Sequence, residues 1–352
     1  MNDTALQCLR PHLTNISEQT LWYADENALA LCDSIAPNPL LTVITNRFDI
    51  FQLLRDKNIV VKFSDFNSAE YELEKPPQKI LYRVSKEKSL VHFLINQAKD
   101  LLATDGTLVF SGLKNEGIKT YGDKIGKALK AKGKLKKQGN AYCGEFQFVT
   151  QTDDNLDDQN YGQIRSINQN ETTHERFYSK PGVFGWDKID QGTTLLLQAL
   201  EAIKHNLGNL SEKTVLDLGC GYGWVGLSID KFGFEHIIAT DNNAAALLCA
   251  EKNSDLMQTP MDILASNCAD TINIKVDLVL CNPPFHRGFQ HHQELTLLFL
   301  KRASERLKPN GTALFVVNSF IDIESLAKAF YQSVKIVEQT KSFKVLKLIK
   351  DL

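Results

Sequence analysis

The stretch Val215-Leu216-Asp217-Leu218-Gly219-Cys220-Gly221-Tyr222-Gly223 is an apolar run that opens into a turn with glycine at every second position. Near-continuous hydrophobicity marks a strand buried on both faces, and closely spaced glycines let backbone approach a ligand. Outward from it the chain keeps one rhythm. Thr214 to Leu218, Ile237 to Ala239, Ile263 to Ala265, Val276 to Cys281 and Thr312 to Val317 read as strands. Helical stretches alternate with them at Trp224 to Lys231, Ala244 to Asn253 and Leu295 to Leu307, the last stopped by Lys308-Pro309-Asn310-Gly311. This alternation predicts a doubly wound α/β domain, a parallel sheet covered on both faces by helices.

The last two strand-like runs, Val334 to Val337 and Phe343 to Ile349, are separated only by Glu338 to Ser342. So short a link makes a hairpin and places one antiparallel strand in a seven-stranded sheet, the methyltransferase variant of this architecture rather than the purely parallel dinucleotide-binding one. The chain has 352 residues, 43% of them hydrophobic and 23% charged, enough for two domains. No apolar run approaches the roughly 20 residues that span a bilayer, and the start MNDTALQCLRPHL lacks a basic segment followed by an apolar core, so the expected location is cytoplasmic, with no membrane partner. Forty basic residues against 42 acidic ones give a net charge of -2, so a nucleic-acid partner must be met by a local patch. The seven cysteines are scattered and form no C-x-x-C pair, which predicts buried reduced thiols. No His, Cys or carboxylate cluster has metal-ligand spacing, so no metal is expected.

The first half carries a similar rhythm. Leu40 to Ile44 can be laid over Val215 to Leu218, Val60 to Asp65 over Ile237 to Asp241, and Gly106 to Phe110 over Gly311 to Phe315. On that alignment Thr45-Asn46-Arg47-Phe48 stands where the second half has its glycine turn, and Tyr82-Arg83-Val84-Ser85 where it has Asn282-Pro283-Pro284-Phe285. The expected organisation is therefore tandem: a degenerate copy over 1–150 serving as scaffold or RNA-binding domain, a linker over 151–179 with the acidic stretch Asp153 to Asp158, and a catalytic domain over 180–352. A basic stretch, Lys114 to Lys137, could track a phosphate backbone through Lys124, Lys127, Lys130, Lys134, Lys136 and Lys137, or be a solvated loop.

Three motifs carry chemistry. Gly221, Gly223 and Gly226 satisfy G-x-G-x-x-G, which alone leaves a nicotinamide enzyme open. Asp217 tips the balance, because a carboxylate there faces a pyrophosphate unfavourably but suits the cationic amino-acid end of S-adenosylmethionine. Asp241 closes the second strand where a carboxylate accepts bonds from ribose hydroxyls, and Asn267 follows the third strand, placed to meet the adenine edge. The discriminating run is Asp277 to Phe285, a strand ending in Asn282-Pro283-Pro284-Phe285. Two prolines stiffen the loop and offer no N–H, so the Asn282 side-chain oxygen and Pro283 carbonyl can accept from an exocyclic –NH₂ while the Phe285 ring stacks on the base. Such an amine is a weak nucleophile, its lone pair delocalised into the ring; two accepted hydrogen bonds return density to nitrogen and aim it at a methyl group.

DLGCGYG, TDNN and NPPFHRG, in this order, resemble class I S-adenosylmethionine-dependent methyltransferases that modify exocyclic amines. The tandem layout, with Lys180-Pro181-Gly182-Val183-Phe184 and Asp190-Gln191-Gly192-Thr193 leading in and Phe343-Lys344-Val345 near the end, resembles the bacterial RsmC family of ribosomal RNA guanine-N2 methyltransferases. The similarity is dense from Lys180 onward and organisational before it. The resemblance implies methylation of guanine N2 at position 1207 of 16S rRNA in assembled small subunits, by a monomer. It implies Asn282, Pro283, Pro284 and Phe285 at the target base, and Asp217, Gly219, Cys220, Gly221, Gly223, Asp241, Asn242, Asn267 and Asn282 at the cofactor. Phe184 and Gly192 would wall that site and His286 would touch base or phosphate. Tyr222 stands where this turn often carries a small residue. Three alternatives share these features: a sister enzyme acting on a 23S rRNA guanine, a protein glutamine methyltransferase, and a non-enzymatic RNA-binding assembly factor.

Overall fold

The structure, a computed structural model, describes residues 3–70, 73, 75–148, 153–167, 177–284 and 289–351. The chain divides into two units, Met1–Gln163 and Ile164–Leu352. The first is built on β1 (Thr20–Tyr23), β2 (Leu41–Thr45), β3 (Val60–Phe63), β4 (Lys79–Arg83), β5 (Thr107–Leu113), β6 (Ala131–Gln138) and β7 (Ala141–Phe148), in the order β3-β2-β1-β4-β5-β7-β6. Strands β1 to β5 are parallel, and β7 runs antiparallel to both of its neighbours.

The second unit opens with a short ribbon, β8 (Arg165–Ser166) and β9 (Tyr178–Ser179). Its main sheet holds β10 (Thr214–Leu218), β11 (His236–Asp241), β12 (Asp262–Ala265), β13 (Val276–Cys281), β14 (Leu307–Asn318), β15 (Ser333–Gln339) and β16 (Phe343–Ile349). Their order, β12-β11-β10-β13-β14-β16-β15, is that of the first sheet, again with one antiparallel strand, β16, paired with both β14 and β15. Alternate residues serve the two faces, as a strand period of two requires. Leu216, Leu218, Val279 and Phe315 pack on Leu300 and Ala303 of the helix Phe289–Arg306. Val215, Leu278, Leu280 and Leu314 pack on Leu196 and Leu200 of the helix Gln191–Ile203.

The duplication is real in topology, but its strand alignment differs from that expected. Thr20-Leu21-Trp22-Tyr23, passed over in the sequence, is the central strand β1. Leu41 to Thr45 therefore matches β11 rather than β10, and Val60 to Phe63 matches β12. Backbone bonds fix the correspondence: Ala24 N–H donates to the Ile44 carbonyl and Gly219 N–H to that of Thr240, both at 2.9 Å. Likewise Ser64 N–H meets the Thr45 carbonyl at 3.0 Å, and Ser266 N–H that of Asp241 at 2.9 Å. The counterpart of the glycine turn is thus Ala24-Asp25-Glu26-Asn27, Trp22 stands where Asp217 does, and Arg83 stands where Asn282 does. Arg83 is buried, its Nε 2.9 Å from Asp3 Oδ2 and its NH1 2.7 Å from Glu116 Oε2. A cation paired with two carboxylates fills the place that an amide occupies in the second unit.

The basic stretch is not a loop. It forms a short 3₁₀ turn, the helix Ile118–Ala128 and edge strand β6, on which Lys132, Lys134, Lys136 and Lys137 are exposed. Lysines along an edge also discourage pairing with another chain. Within the segment expected as a linker, Leu156 and Tyr161 are buried in the first unit's core, the Tyr161 ring 5.1 Å from Phe93 and its hydroxyl 2.8 Å from Asp65 Oδ1. All seven cysteines are buried, and none is in a disulfide. Among the described residues no helix is long and apolar enough to cross a membrane.

Candidate active site

The ends of β10, β11 and β13 lie side by side, because Leu218 is level with Thr240 on one side and Cys281 on the other. With strands about 4.8 Å apart, Gly219, Asp241 and Asn282 are brought together across roughly 10 Å of one sheet edge. The turn after β10 is closed by Gly219 and Cys220 N–H, both donating to the Thr240 carbonyl at 2.9 Å. Gly219, Gly221 and Gly223 have φ of +81°, +56° and +85°, a region open mainly to glycine. A Cβ at Gly221 would meet nothing within 4 Å, so that part of the turn is open to a ligand. Tyr222 does not obstruct it; its side chain is buried among Phe177, Leu227 and Cys249.

Asp241 braces the turn. Its Oδ2 accepts from Gly221 N–H at 3.0 Å and its Oδ1 from Asn243 N–H at 2.9 Å. Asn242 and Asn267 meet, Nδ2 to Oδ1, at 3.4 Å. Asn243 Nδ2 donates to the Gly182 carbonyl at 3.0 Å, which ties Lys180 to Phe184 to this edge and leaves the Phe184 ring 56% exposed.

Asp217 is placed differently from the expectation that it faces the ligand. It is 2% exposed, and its Oδ2 accepts from Gly226 N–H at 3.1 Å, holding the helix Trp224–Ile229 against the turn. Burial, with the nearby Asp241 charge, pushes its carboxyl up to about 7. Cys220 is also buried, and burial drives its thiol well above the ordinary range.

After β13, Asn282 Nδ2 donates to Asp190 Oδ2 and to Thr193 Oγ1, each at 2.8 Å. Asp190 caps the helix Gln191–Ile203, its Oδ2 accepting from Thr193 N–H at 2.8 Å. Gly192 sits closely beside them: a Cβ there would lie 3.0 Å from Asp190 Oδ2 and 3.2 Å from the Phe343 ring, so those side chains would have to give. Pro283 and Pro284 follow Asn282 at this edge, whereas Phe285 and His286 lie outside the described residues.

Of the lysines singled out, Lys127, Lys130, Lys134, Lys136 and Lys137 are exposed on the first unit. Lys124 is turned inward, its Nζ 3.3 Å from Nε2 of the buried His92. Sequence reasoning gave no role to Asp190 and Thr193, although D-x-x-T before an apolar helical run is a capping signal. It also missed Asn253, fully buried within the helix Ala244–Met257. Asn253 Oδ1 accepts from Tyr178 N–H at 2.7 Å, and its Nδ2 donates to the carbonyls of Tyr178 and Tyr222, each at 2.8 Å. One side chain thereby ties β9 to the glycine turn; the signal was a polar residue on an otherwise apolar helix face.

The donor set fits S-adenosylmethionine. A carboxylate ends the second strand, the glycine turn is open at Gly221, and residues 217–223 contain no basic side chain to neutralise a pyrophosphate. Among the described residues no three His, Cys, Asp or Glu side chains are gathered as metal ligands.

Residues 174–347 match the family described as Methyltransferase small domain. The chain is 30% identical over 279 residues to the ribosomal RNA small subunit methyltransferase C of Mannheimia succiniciproducens, a match covering 77% of this chain and 78% of that one. It is 28% identical over 350 residues to the protein of the same name from Actinobacillus succinogenes, covering 96% and 97%. Among solved structures, the T. thermophilus 16S rRNA N2 G1207 methyltransferase, in complex with AdoMet and guanosine, superposes with a TM-score of 0.83 at 20% identity over 99% of this chain and 92% of that one. At that identity the likeness establishes the fold.

Proposed function

The chain belongs to the ribosomal RNA small subunit methyltransferase C family, and from that premise we propose that it methylates the exocyclic N2 amine of a guanine in 16S rRNA, the family's G1207, in the small subunit. The single observation that carries the chemistry is the meeting, at one sheet edge, of the glycine turn, Asp241 and Asn282. S-adenosylmethionine, when bound, supplies an electrophilic methyl on a sulfonium.

Gly219, Cys220, Gly221 and Gly223 would cradle the cofactor, with Asp241, Asn242 and Asn267 toward its adenosine, Asp217 bracing the turn from beneath through Gly226, and Phe184 and Gly192 walling it. Asn282 Oδ1 and the Pro283 carbonyl accept from the two N–H groups of the target amine, Pro284 keeps the loop stiff, and Phe285 stacks on the base. S-adenosylmethionine would supply its methyl to the nitrogen so held, its sulfonium becoming a neutral thioether, and the spare proton would leave to solvent. Positioning and electrostatics supply the acceleration without a strong base. The guanine must be unpaired or flipped, at about a few kcal/mol. The first unit serves as scaffold and RNA contact, with Lys127, Lys130, Lys134, Lys136 and Lys137 meeting phosphates and His286 meeting the base or a phosphate. The protein works in the cytoplasm as a monomer and without a metal.

The test offers methyl-labelled S-adenosylmethionine with small subunits, large subunits and their deproteinised RNAs from cells lacking this protein, then identifies the labelled nucleoside. N2-methylguanosine from small subunits is expected; label confined to large subunits, or to protein, overturns the substrate. Asn282→Ala is expected to lower transfer by about 10²- to 10³-fold with cofactor binding kept, and unchanged transfer refutes the role of Asn282.

A further inference from the structure

Nothing in Asn282-Pro283-Pro284 itself says which way the asparagine amide faces. The two ends of an amide are nearly equal in size, yet one accepts and the other donates, so a flip would turn the substrate contact from attraction to repulsion. The neighbours decide. Asp190 carries a carboxylate, which offers lone pairs, and its Oδ2 takes the Thr193 N–H at 2.8 Å, the Thr193 hydroxyl at 3.2 Å and Asn282 Nδ2 at 2.8 Å. The Thr193 hydroxyl, its proton committed to Asp190, turns lone pairs toward Asn282 Nδ2 at 2.8 Å. The carboxylate only accepts, so beside it the –NH₂ end is the one that fits. A flipped amide would set its oxygen against Oδ2, lone pair to lone pair, and could gain the Thr193 proton only by taking it from Asp190.

We infer that Asp190 and Thr193 are positioning residues that lock the Asn282 amide with Oδ1 free to accept from the target amine. The inference rests on the proposal that Asn282 meets that amine. Helix capping alone does not account for the arrangement, since a cap needs only the Thr193 N–H, whereas Asn282 arrives from 92 residues away. The missing side chain at Gly192 leaves the carboxylate its place, because a Cβ would press to 3.0 Å from Oδ2. A carboxylate on the –NH₂ end also polarises the amide and makes Oδ1 the stronger acceptor.

The test uses Asp190→Ser, which still caps the helix, and Thr193→Val, which keeps the shape and removes the hydroxyl. Each is expected to slow single-turnover methylation of small subunits on the order of 10²-fold, the effect of a misplaced reacting group. Calorimetric binding of S-adenosylmethionine, KM for the subunits and the melting temperature should stay near the parent's. Asp190→Asn, whose carbonyl can replace Oδ2, and Thr193→Ser should recover most of the rate. With selectively ¹⁵N-labelled asparagine, the Asn282 side-chain –NH₂ should exchange slowly with solvent in the parent and quickly in Asp190→Ser and Thr193→Val. On an Asn282→Ala background neither substitution should cost anything further. Multiplying losses on that background, or near-parental rates for Asp190→Ser and Thr193→Val beside a crippled Asn282→Ala, overturn the positioning role. Parental transfer by Asn282→Ala overturns instead the proposal on which it rests.

Discussion

Asp217→Asn should change how the stability of the second unit depends on pH, and the structure sets both sign and size. The carboxyl is buried under the glycine turn, and burial with the Asp241 charge raises it from 3.8 to about 7. Between those values the folded form keeps a proton that the unfolded chain has lost. Stability from this group is therefore complete below the unfolded value, falls as pH climbs toward 7, and is level above it. A rise of about three pH units corresponds to about 4 kcal/mol. Asparagine keeps an oxygen for the Gly226 N–H and does not titrate. The assay is urea unfolding from pH 4 to 8 without cofactor, followed by tryptophan fluorescence in a Trp22→Phe background, so that the signal comes from Trp186 and Trp224 of the second unit. Titrations shared by the two proteins cancel, and the variant should gain on its parent by up to about 4 kcal/mol across that range. Parallel stability curves would refute the reasoning, since they would mean that Asp217 ionises in the folded unit as it does in water.

Asn253→Leu strands one N–H and two carbonyls, and should destabilise the second unit by about 2–4 kcal/mol; an unchanged unfolding midpoint would contradict this. Gly223→Ala places a side chain at φ +85° and 3.2 Å from Ala250 Cβ. It should cost about 1–2 kcal/mol and weaken S-adenosylmethionine binding, read by calorimetry, and full affinity would speak against the turn as the cofactor's seat. Replacing Lys134, Lys136 and Lys137 together by glutamine should flatten the slope of log affinity for single-stranded rRNA fragments against log salt by about 2, whereas an identical slope would remove β6 from the RNA contact.

Much of the second unit was legible because its inner strands β10, β13 and β14 are largely buried on both faces and announce themselves as apolar runs. The hairpin at β15 and β16 was equally clear from the shortness of its link. The first unit was harder. Thr20 to Tyr23 is only four residues long and begins with a polar one, so the central strand passed unnoticed and every strand matched upstream of Gly106 slid by one place. The lysine-rich stretch left a solvated loop open beside a phosphate-tracking surface, because β6 is an edge strand whose outward positions carry charge instead of apolar side chains. The residues at the strand ends were singled out because glycines and prolines at such places are turn-forming and carboxylates there can bind or brace, and the structure brings Gly219, Asp241 and Asn282 to one sheet edge. Asp190, Thr193 and Asn253 were given no role because their work lies in contacts between segments far apart in sequence, and a single chain read alone does not reveal those.

The ion-paired Arg83 bears on how firmly the first unit is held to its present arrangement. Its carboxylate partner Glu116 has a side chain only 6% exposed. Placing an asparagine at position 83 would leave that carboxylate without its cation, and changing Glu116 first would strip the arginine of a partner. Either first step costs about 3–5 kcal/mol, against a total of about 5–15 kcal/mol for an ordinary domain. A change to the second unit's arrangement therefore passes through weakened proteins or needs several substitutions at once. Folding thus acts as a ratchet, and the first unit's departure from the second at this position is kept in place by its own stability.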